Sequence, residues 1–331
     1  MNDNLEEYKD LGLNQSRLKE ILKDPRKYYY YEEERSEDSP SYFKIGSYVD
    51  DLITDPTSVQ DKYAVITATP SDNITWIIDD LFNNYAPTTD NLEDCKDTLQ
   101  VICQSRAYGQ SYKEETLLKK IKEGGGKAGD TKGEDYFKQL VDSRGKVIIS
   151  QEDERLGNSI RDTIVTTDHL KRLFISSEEG VEIQLQKVVS GELYGRKCKG
   201  KLDSLIVDNN NKTMQVVDLK TTGSSILYFE SSIFKYRYDF QLTFYNMLLE
   251  RLAEEVGYKI LNPQLVVFST NGDSRGMVYE LPAFKAKYSY ERNGRIYHGV
   301  EEAFEILEAH EELDNFEYPL EYLKNGFVRV E

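Results

Sequence analysis

An aspartate and a lysine lie two residues apart in the apolar segment 216–222, at Asp218 and Lys220. Side chains two apart on a β-strand project from the same face, so this carboxylate and this ammonium would lie side by side. A second strand candidate follows Asp203, and the turn-forming residues 208–212 predict a hairpin that brings Asp203 near that face. Two carboxylates and a cation suit a hard divalent metal with an activated water, which is the outline of a phosphodiesterase site.

An amphipathic helix is predicted after the two strands. The segment 238–252 has apolar residues at helical spacing. Gln241 and Tyr245 are four residues apart in it, so both project from one side of the helix. The pattern therefore places two more polar side chains on one helix face, close in sequence to the strands.

Three short motifs occur in a fixed order along the chain. They are G-x-x-D at 200–203, D-x-K-T at 218–221 and Q-x-x-x-Y at 241–245. In this order, and in a strand–strand–helix context, they resemble the PD-(D/E)XK nuclease superfamily, and within it the RecB-type and phage exonuclease branch. The resemblance implies an α/β (α+β) fold whose mixed central β-sheet is flanked by helices, with a large N-terminal helical region added to it.

The resemblance implies roles for the residues of the two strands. Asp203 and Asp218 would bind Mg²⁺ or Mn²⁺ together with the backbone carbonyl of Leu219. Lys220 would orient or deprotonate the attacking water, and its charge would stabilise the transition state.

Three further residues complete the expected catalytic set. Gln241 and Tyr245 would hydrogen-bond the DNA backbone or the strand that carries Lys220, although the same pair also fits an ordinary helix face packed on a sheet. Glu182 lies near the start of segment 181–186, in which apolar and polar residues alternate. This alternation is typical of a half-buried strand. Glu182 resembles the acidic residue that often begins the first core strand of such nucleases.

The segment 43–52 resembles a helix on which relatives carry a histidine that binds metal where it is present. In this chain the histidine is replaced by Asp50, and an aspartate also binds Mg²⁺ or Mn²⁺. Asp51 follows directly, and neighbouring helical residues point roughly 100° apart, so both can hardly face one ion. The sequence leaves open whether Asp50, Asp51 or neither does so.

The net charge of −17 is unusual for a nucleic-acid enzyme, since such proteins mostly carry a basic surface. A local basic groove is still compatible with it, because salt screens exposed charges beyond about 10 Å. Lys197, Lys199 and Lys201 alternate directly before Asp203, and on a strand they would share its face and contact phosphates. The basic residues near Lys119 are more simply solvated surface.

The composition predicts a cytoplasmic protein, in the host cytoplasm if a phage encodes it. The first residues have no basic start or apolar run, so we expect no secretory signal, and no apolar run approaches the roughly 20 residues that cross a bilayer. Cys95, Cys103 and Cys198 fit reduced thiols rather than a disulfide framework. Relatives with an iron–sulfur cluster carry four cysteines around the core; that set is missing here, so we expect no cluster.

The length of the chain fits one elaborated domain, which we divide into three parts. Residues 1–175 would form the N-terminal helical region and contribute to a DNA channel, and they could supply one metal ligand. Residues 176–285 would form the nuclease core in the order β-β-β-α-β. Residues 286–331 would form a C-terminal helix and tail.

Together these features predict a Mg²⁺-dependent deoxyribonuclease that hydrolyses phosphodiester bonds. The first expectation is a phage-type exonuclease that acts in recombination or replication on linear duplex ends. Two alternatives stay open: a structure-specific endonuclease or resolvase with the same site, and a catalytically silent member that binds DNA or protein. By analogy, the resemblance also allows a homo-oligomer and a single-strand annealing partner.

Overall fold

The structure is a computed structural model of the chain. It describes residues 11–31, 41–105, 113–124, 131–175, 178–271 and 275–328, without the side chains of 41–43 and 114. The α-helices, in chain order, are α1 (Gln15–Ile21), α2 (Pro25–Tyr29), α3 (Ser41–Thr54), α4 (Val59–Lys62), α5 (Asp72–Tyr85), α6 (Lys96–Ser105), α7 (Glu114–Lys122), α8 (Gly133–Asp142), α9 (Gln151–Thr166), α10 (Asp168–Phe174), α11 (Glu230–Lys235), α12 (Tyr238–Val256), α13 (Val300–Glu312) and α14 (Leu320–Asn325). Short 3₁₀ helices cover Leu92–Cys95 and Ile226–Tyr228. The strands are β1 (Leu13–Asn14), β2 (Tyr63–Ile66), β3 (Val147–Ser150), β4 (Val181–Leu193), β5 (Arg196–Asp208), β6 (Thr213–Thr222), β7 (Lys259–Ile260), β8 (Gln264–Ser269), β9 (Gly276–Glu280), β10 (Tyr290–Arg292) and β11 (Arg295–Tyr297).

The main sheet is built on a long antiparallel hairpin of β4 and β5. Tyr194 and Gly195 connect the two strands, and both have positive φ values of 50° and 74°, as a two-residue hairpin turn requires. β6 pairs antiparallel with β5, β8 pairs parallel with β6, and β9 pairs antiparallel with β8. β1 and β7 add short parallel pairs to β5 and β6. The predicted mixed sheet is therefore confirmed, as are its flanking helices.

Helix α12 is the most deeply buried helix near this sheet. Every residue from 239 to 249 in it is buried, which fits a helix covered on all sides. Gly257, with φ of 72°, follows its last turn in the left-handed conformation that commonly ends helices. Phe240 and Phe244 pack in the main hydrophobic core with strand residues such as Val216. The predicted order of three strands, a helical segment and a strand agrees with the structure from β4 to β8, except that the short strand β7 precedes β8.

By packing, the chain divides into two compact units. One consists of residues 1–56 together with 156–331, and the other of residues 57–155. The second unit has its own core, which includes Ile74, Leu99 and Phe137, and a small parallel sheet of β2 and β3. The packing bounds differ from the three parts expected from the sequence, because α1 and α3 belong to the same unit as the main sheet. The functional division into three parts stays a prediction.

The three cysteines, Cys95, Cys103 and Cys198, are free and buried. Across the described ranges, none of the helices combines the length and the apolar character that a membrane crossing needs.

Candidate functional site

A cleft of about 830 Å³ lies in the first compact unit, where strands β5 and β6 meet helices α1, α3, α11 and α12. Asp50, Asp203, Asp218, Lys220 and Gln241 all contribute to its walls. These five residues come from four separate elements, and each was singled out from the sequence. The fold thus brings most of the expected site into one cavity.

Asp218 and Lys220 form an ion pair on β6, between the ammonium and Oδ2 of the carboxylate. The same ammonium donates a hydrogen bond of 3.2 Å to the carbonyl of Leu219. The backbone amide of Leu219 donates to Oδ2 of Asp203 at 2.8 Å, which ties the carboxylate of β5 to the backbone of β6. The two carboxylates and the lysine are therefore held together by the backbone of a single residue, Leu219.

Helix α12 supports Asp218 from behind. Gln241 Nε2 donates to Asp218 Oδ1 at 2.8 Å and to the hydroxyl of Tyr245 at 3.3 Å. Tyr245 is buried and is not part of the cleft wall, and its ring lies against Gly200, where an added Cβ would come within 2.8 Å of ring atoms. The glycine of the first motif and the tyrosine of the third thus form one packing contact. Of the two expected roles, Gln241 contacts the β6 strand, and Tyr245 supports Gln241.

Helix α3 approaches β6 closely because residue 46 is a glycine. A Cβ on Gly46 would lie 3.0 Å from Oγ1 of Thr221. One turn later Asp50 lies on the cleft wall, whereas Asp51 is not among the residues that line it. The structure therefore places Asp50, of the two aspartates, on the side of Asp203.

Gln186 on β4 is a cleft residue that the sequence did not single out. Strands β4 and β5 pair in the same register before and after Gln186, but Gln186 does not pair with Asp203, the residue opposite it. The strand is interrupted at Gln186, which has a φ of 49°. Its side chain donates to Thr54 Oγ1 and lies 3.5 Å from Oδ2 of Asp50. A left-handed φ is uncommon outside glycine, and such residues concentrate at functional sites. The alternating pattern of the strand gives no signal of this local change.

Glu182 does not reach the cleft, which corrects its expected position. It pairs with Val207 and lies at the exposed end of β4, where Gln184 donates to its carboxylate at 2.8 Å. It is four residues from Gln186, a separation of about 13 Å along a strand. The β4 residue that lines the cleft is Gln186, so the first strand supplies an amide there and not a carboxylate.

The three lysines expected to share a DNA-binding face are separated by the fold. Lys201 lines the cleft and Lys197 is exposed, but Lys199 is 0 % exposed. Cys198, Lys199 and Gly200 are buried in succession, so both faces of β5 are covered here, and β1 pairs with β5 at this point. Lys199 is therefore not available to a phosphate, because alternation exposes a side chain only where one face of the sheet is free.

The pKa values of Asp203, Asp50 and Lys220 are all shifted in the cleft. Burial, reinforced by the carboxylates of Asp218 and Asp50, raises the pKa of Asp203 well above its usual range. Burial also raises the pKa of Asp50. Burial disfavours the charged form of Lys220, but Asp218 and Asp203 outweigh it and raise the pKa of this lysine. Burial of these carboxyl groups around a single ammonium therefore favours protonation of Asp203 and Asp50 unless a further cation lies beside them.

The oxygen donors at this position fit a hard divalent cation. Among the described residues, no three His, Cys, Asp or Glu side chains are gathered closely enough to hold an ion by themselves. Mg²⁺, however, is often held by one or two carboxylates, with waters and substrate phosphates as its other ligands. Apart from its ion pair with Lys220, Oδ2 of Asp218 is buried and accepts no hydrogen bond. Asp203, Asp218 and the carbonyl of Leu219 are thus a suitable donor set, with Asp50 on the same cleft wall.

The family described as "PDDEXK-like domain of unknown function" (DUF3799) matches residues 14–312. The chain belongs to this family. The match covers every element that lines the cleft, from α1 to α12, and confirms the resemblance to the PD-(D/E)XK superfamily. PDDEXK-like nucleases generally use divalent metals, in agreement with the donor set.

Two solved structures are similar to this PDDEXK-like chain at low identity. A protein described as a "putative exonuclease" from Eubacterium rectale is 14% identical with a TM-score of 0.31, and the match covers 85% of this chain and 87% of that one. A protein described as SSO0001 is 13% identical with a TM-score of 0.26, over 73% of this chain and 85% of that one. Likenesses at this level carry no argument about function. No curated protein matches the chain.

Proposed function

We propose that this PDDEXK-like protein is a metal-dependent deoxyribonuclease that hydrolyses phosphodiester bonds. The observation that carries the proposal is the convergence of Asp203, Asp218 and Lys220 in one cleft, on the β5–β6 pair. Two carboxylates beside a lysine, at the strand positions expected for this family, suit phosphodiester hydrolysis assisted by a bound cation.

In this proposal the carboxylates of Asp203 and Asp218 and the carbonyl of Leu219 hold Mg²⁺ or Mn²⁺, and Asp50 completes the ligand set directly or through water. The bound cation would polarise the scissile phosphate and lower the pKa of a water. The chain fixes these donors in advance. The Leu219 amide orients Asp203, and Gln241 orients Asp218.

Lys220 stabilises the transition state by its charge. In the metal-free site Asp218 and Asp203 raise the pKa of this lysine, which favours an ammonium that donates hydrogen bonds. The ammonium lies between Asp218 and the carbonyl of Leu219, so it can donate both to the attacking water and to the phosphate oxygen on which charge develops. Of the two roles expected for this lysine, orientation of the water is therefore the one we propose.

Within this class we propose an exonuclease of the RecB-type and phage branch, which acts on linear duplex ends in recombination or replication. The support for this finer assignment is the motif set at residues 200–245. A homo-oligomer, an annealing partner and a cytoplasmic location remain predictions from the sequence.

The test is digestion of linear and of closed circular duplex DNA by the purified protein, in Mg²⁺, Mn²⁺ or EDTA. We expect cleavage of linear DNA that depends on the metal and is abolished in Asp218→Asn and Lys220→Ala. Glu182→Gln is the matched control, since its carboxylate lies on the same sheet outside the cleft. Nicking of circles would assign an endonuclease or resolvase, and no cleavage in any metal would overturn the proposal and leave a binding module.

A further inference from the structure

The end of the cleft formed by α11 and α12 is aromatic. Phe229, Tyr236 and Tyr238 all line it. The rings of Phe229 and Tyr238 are stacked with centroids 5.8 Å apart, and the rings of Tyr238 and Tyr236 follow at 6.0 Å. Phe229 is 3 % exposed and Tyr236 is 49 % exposed, so this aromatic row of three rings runs from the core to solvent.

The aromatic row passes the proposed catalytic lysine. Nζ of Lys220 lies 5.4 Å from the ring centre of Tyr238, the middle ring of the row. A strand whose phosphate contacts Lys220 therefore has the rings of Tyr238 and Tyr236 beside it. Aromatic rings attract the bases of such a strand without selecting among them, because every base has a flat π-face.

Helix α1 adds an unpaired polar group to the same cleft. Gln15 lines the cleft and is 8 % exposed, and its Oε1 is buried and accepts no hydrogen bond from the described residues. Its Nε2 donates to Oγ of Ser16 at 2.7 Å. One helical turn further on, Lys19 donates to the carbonyl of Tyr236 at 3.1 Å, so this face of α1 adjoins the exposed end of the aromatic row. Buried polar groups rarely lack a partner in native proteins, so a donor from a ligand or from water is expected at this Oε1.

We propose that this end of the cleft is a nucleobase subsite. A base next to the phosphate at Lys220 leaves its stack, lies against the ring of Tyr236 and hydrogen-bonds the carboxamide of Gln15. A carboxamide carries a donor and an acceptor, as the edges of bases do. The inference rests on the proposed nuclease function and deepens it, since it names an unstacked base, in a single strand or a frayed duplex end, as part of the substrate.

The experiment compares two labelled oligonucleotides of equal length and charge, one of thymidylate and one whose sugars carry no bases. Binding is measured by fluorescence anisotropy at low salt, in EDTA and separately in Ca²⁺, while cleavage of duplex DNA is followed in Mg²⁺. The wild type should bind the base-bearing strand more tightly, by roughly 5- to 150-fold for one stacked base. Tyr236→Ala should remove this preference, and Tyr236→Phe should keep it because the ring remains.

Gln15→Leu should weaken binding of the base-bearing strand and leave the abasic strand unchanged. Tyr322→Ala is the matched control, because Tyr322 is a comparably exposed tyrosine outside the cleft. Equal binding of both strands by the wild type would overturn the subsite, as would no binding of either strand or a preference that survives Tyr236→Ala. A preference without cleavage would retain the subsite and reject the nuclease, and cleavage without a preference would do the reverse.

Discussion

The carboxamide of Gln241 donates a hydrogen bond of 2.8 Å to Oδ1 of Asp218, a carboxylate that is only 2 % exposed. The other oxygen, Oδ2, faces the ammonium of Lys220. Helix α12 therefore fixes one side of the carboxylate and strand β6 fixes the other. The Q-x-x-x-Y motif thus contributes to the site through the position of Asp218, a role distinct from contact with DNA.

Gln241→Ala should lower the free energy of unfolding of the metal-free protein by about 1–3 kcal/mol, since it leaves a buried carboxylate oxygen without a donor. Denaturant unfolding measures this change, and cleavage should slow as well because Asp218 is less well oriented. Gln184→Ala is the matched control, since Gln184 donates to an exposed carboxylate, that of Glu182, at the same 2.8 Å. The control should change stability by about 0.5 kcal/mol or less. Equal losses in the two variants would show that Gln241 does not support a buried group.

The parts of the site that could be predicted from the sequence are local in the chain. Asp218 and Lys220 are two apart on one strand, and the turn at 208–212 brings Asp203 to them, so strand geometry alone places the three together. The contact of Gly200 with Tyr245 is not local, but the resemblance to the family had already linked the two motifs that contain these residues.

The parts that the sequence did not reveal depend on contacts between distant segments. Alternation along β4 pointed to Glu182, but the residue that lines the cleft is Gln186, whose φ of 49° interrupts the regular strand. Lysine side chains are mostly exposed, so the sequence predicted Lys199 at the surface. In the structure β1 pairs with β5 at Lys199, and both faces of β5 are covered there. Gln15 belongs to a helix that meets the cleft only after the chain has folded. None of these arrangements has a short-range sequence signal.

Lys220→Met should bind Mg²⁺ more tightly than the wild type, even though it cleaves DNA far more slowly. The wild-type ammonium occupies Oδ2 of Asp218 and repels a cation at the same carboxylate. Two unit charges about 4 Å apart interact by about 4 kcal/mol at an effective dielectric constant near 20. We expect a gain of about tenfold in affinity, which corresponds to about 1.4 kcal/mol and is well within that energy. Calorimetric titration of the metal-free protein with Mg²⁺ at constant temperature gives the half-saturating concentration, the Mg²⁺ midpoint, without any need for activity.

Lys201→Met is the control for this change, because Lys201 lines the same cleft and is exposed. It should shift the Mg²⁺ midpoint less than Lys220→Met does. An unchanged midpoint in Lys220→Met would mean that the cation binds away from Asp218, and wild-type turnover at saturating Mg²⁺ would remove Lys220 from the mechanism.

Gln186→Gly should be more stable than Gln186→Ala by about 1 kcal/mol, because a left-handed φ costs a residue with a Cβ about 1–2 kcal/mol. Both variants lose the hydrogen bond to Thr54 and the contact with Asp50, so both should slow cleavage. At an ordinary strand position the order is the opposite, with alanine the more stable. The pair Gln184→Gly and Gln184→Ala, two residues earlier in β4, should show that ordinary order in the same denaturant titration. If both positions favour alanine, the strand is regular at Gln186 in solution.

Lys201→Glu should weaken DNA binding and flatten its salt dependence, since Lys201 lines the cleft where a phosphate would lie. The slope of log affinity against log salt should fall by about 1 for the lost phosphate contact, and somewhat more for the reversed charge.

Lys199→Glu should instead reduce stability by several kcal/mol, on the order of 3–5, because it buries a charge of the wrong sign in a site built around an ammonium. Lys119→Glu should alter neither property by much, as Lys119 is exposed and lies in the other compact unit. The two measurements separate a cation that contacts DNA from one that the fold encloses. A salt slope in Lys201→Glu equal to that of the wild type would move the path of the DNA away from β5, and a fully stable Lys199→Glu would place that side chain at the surface after all.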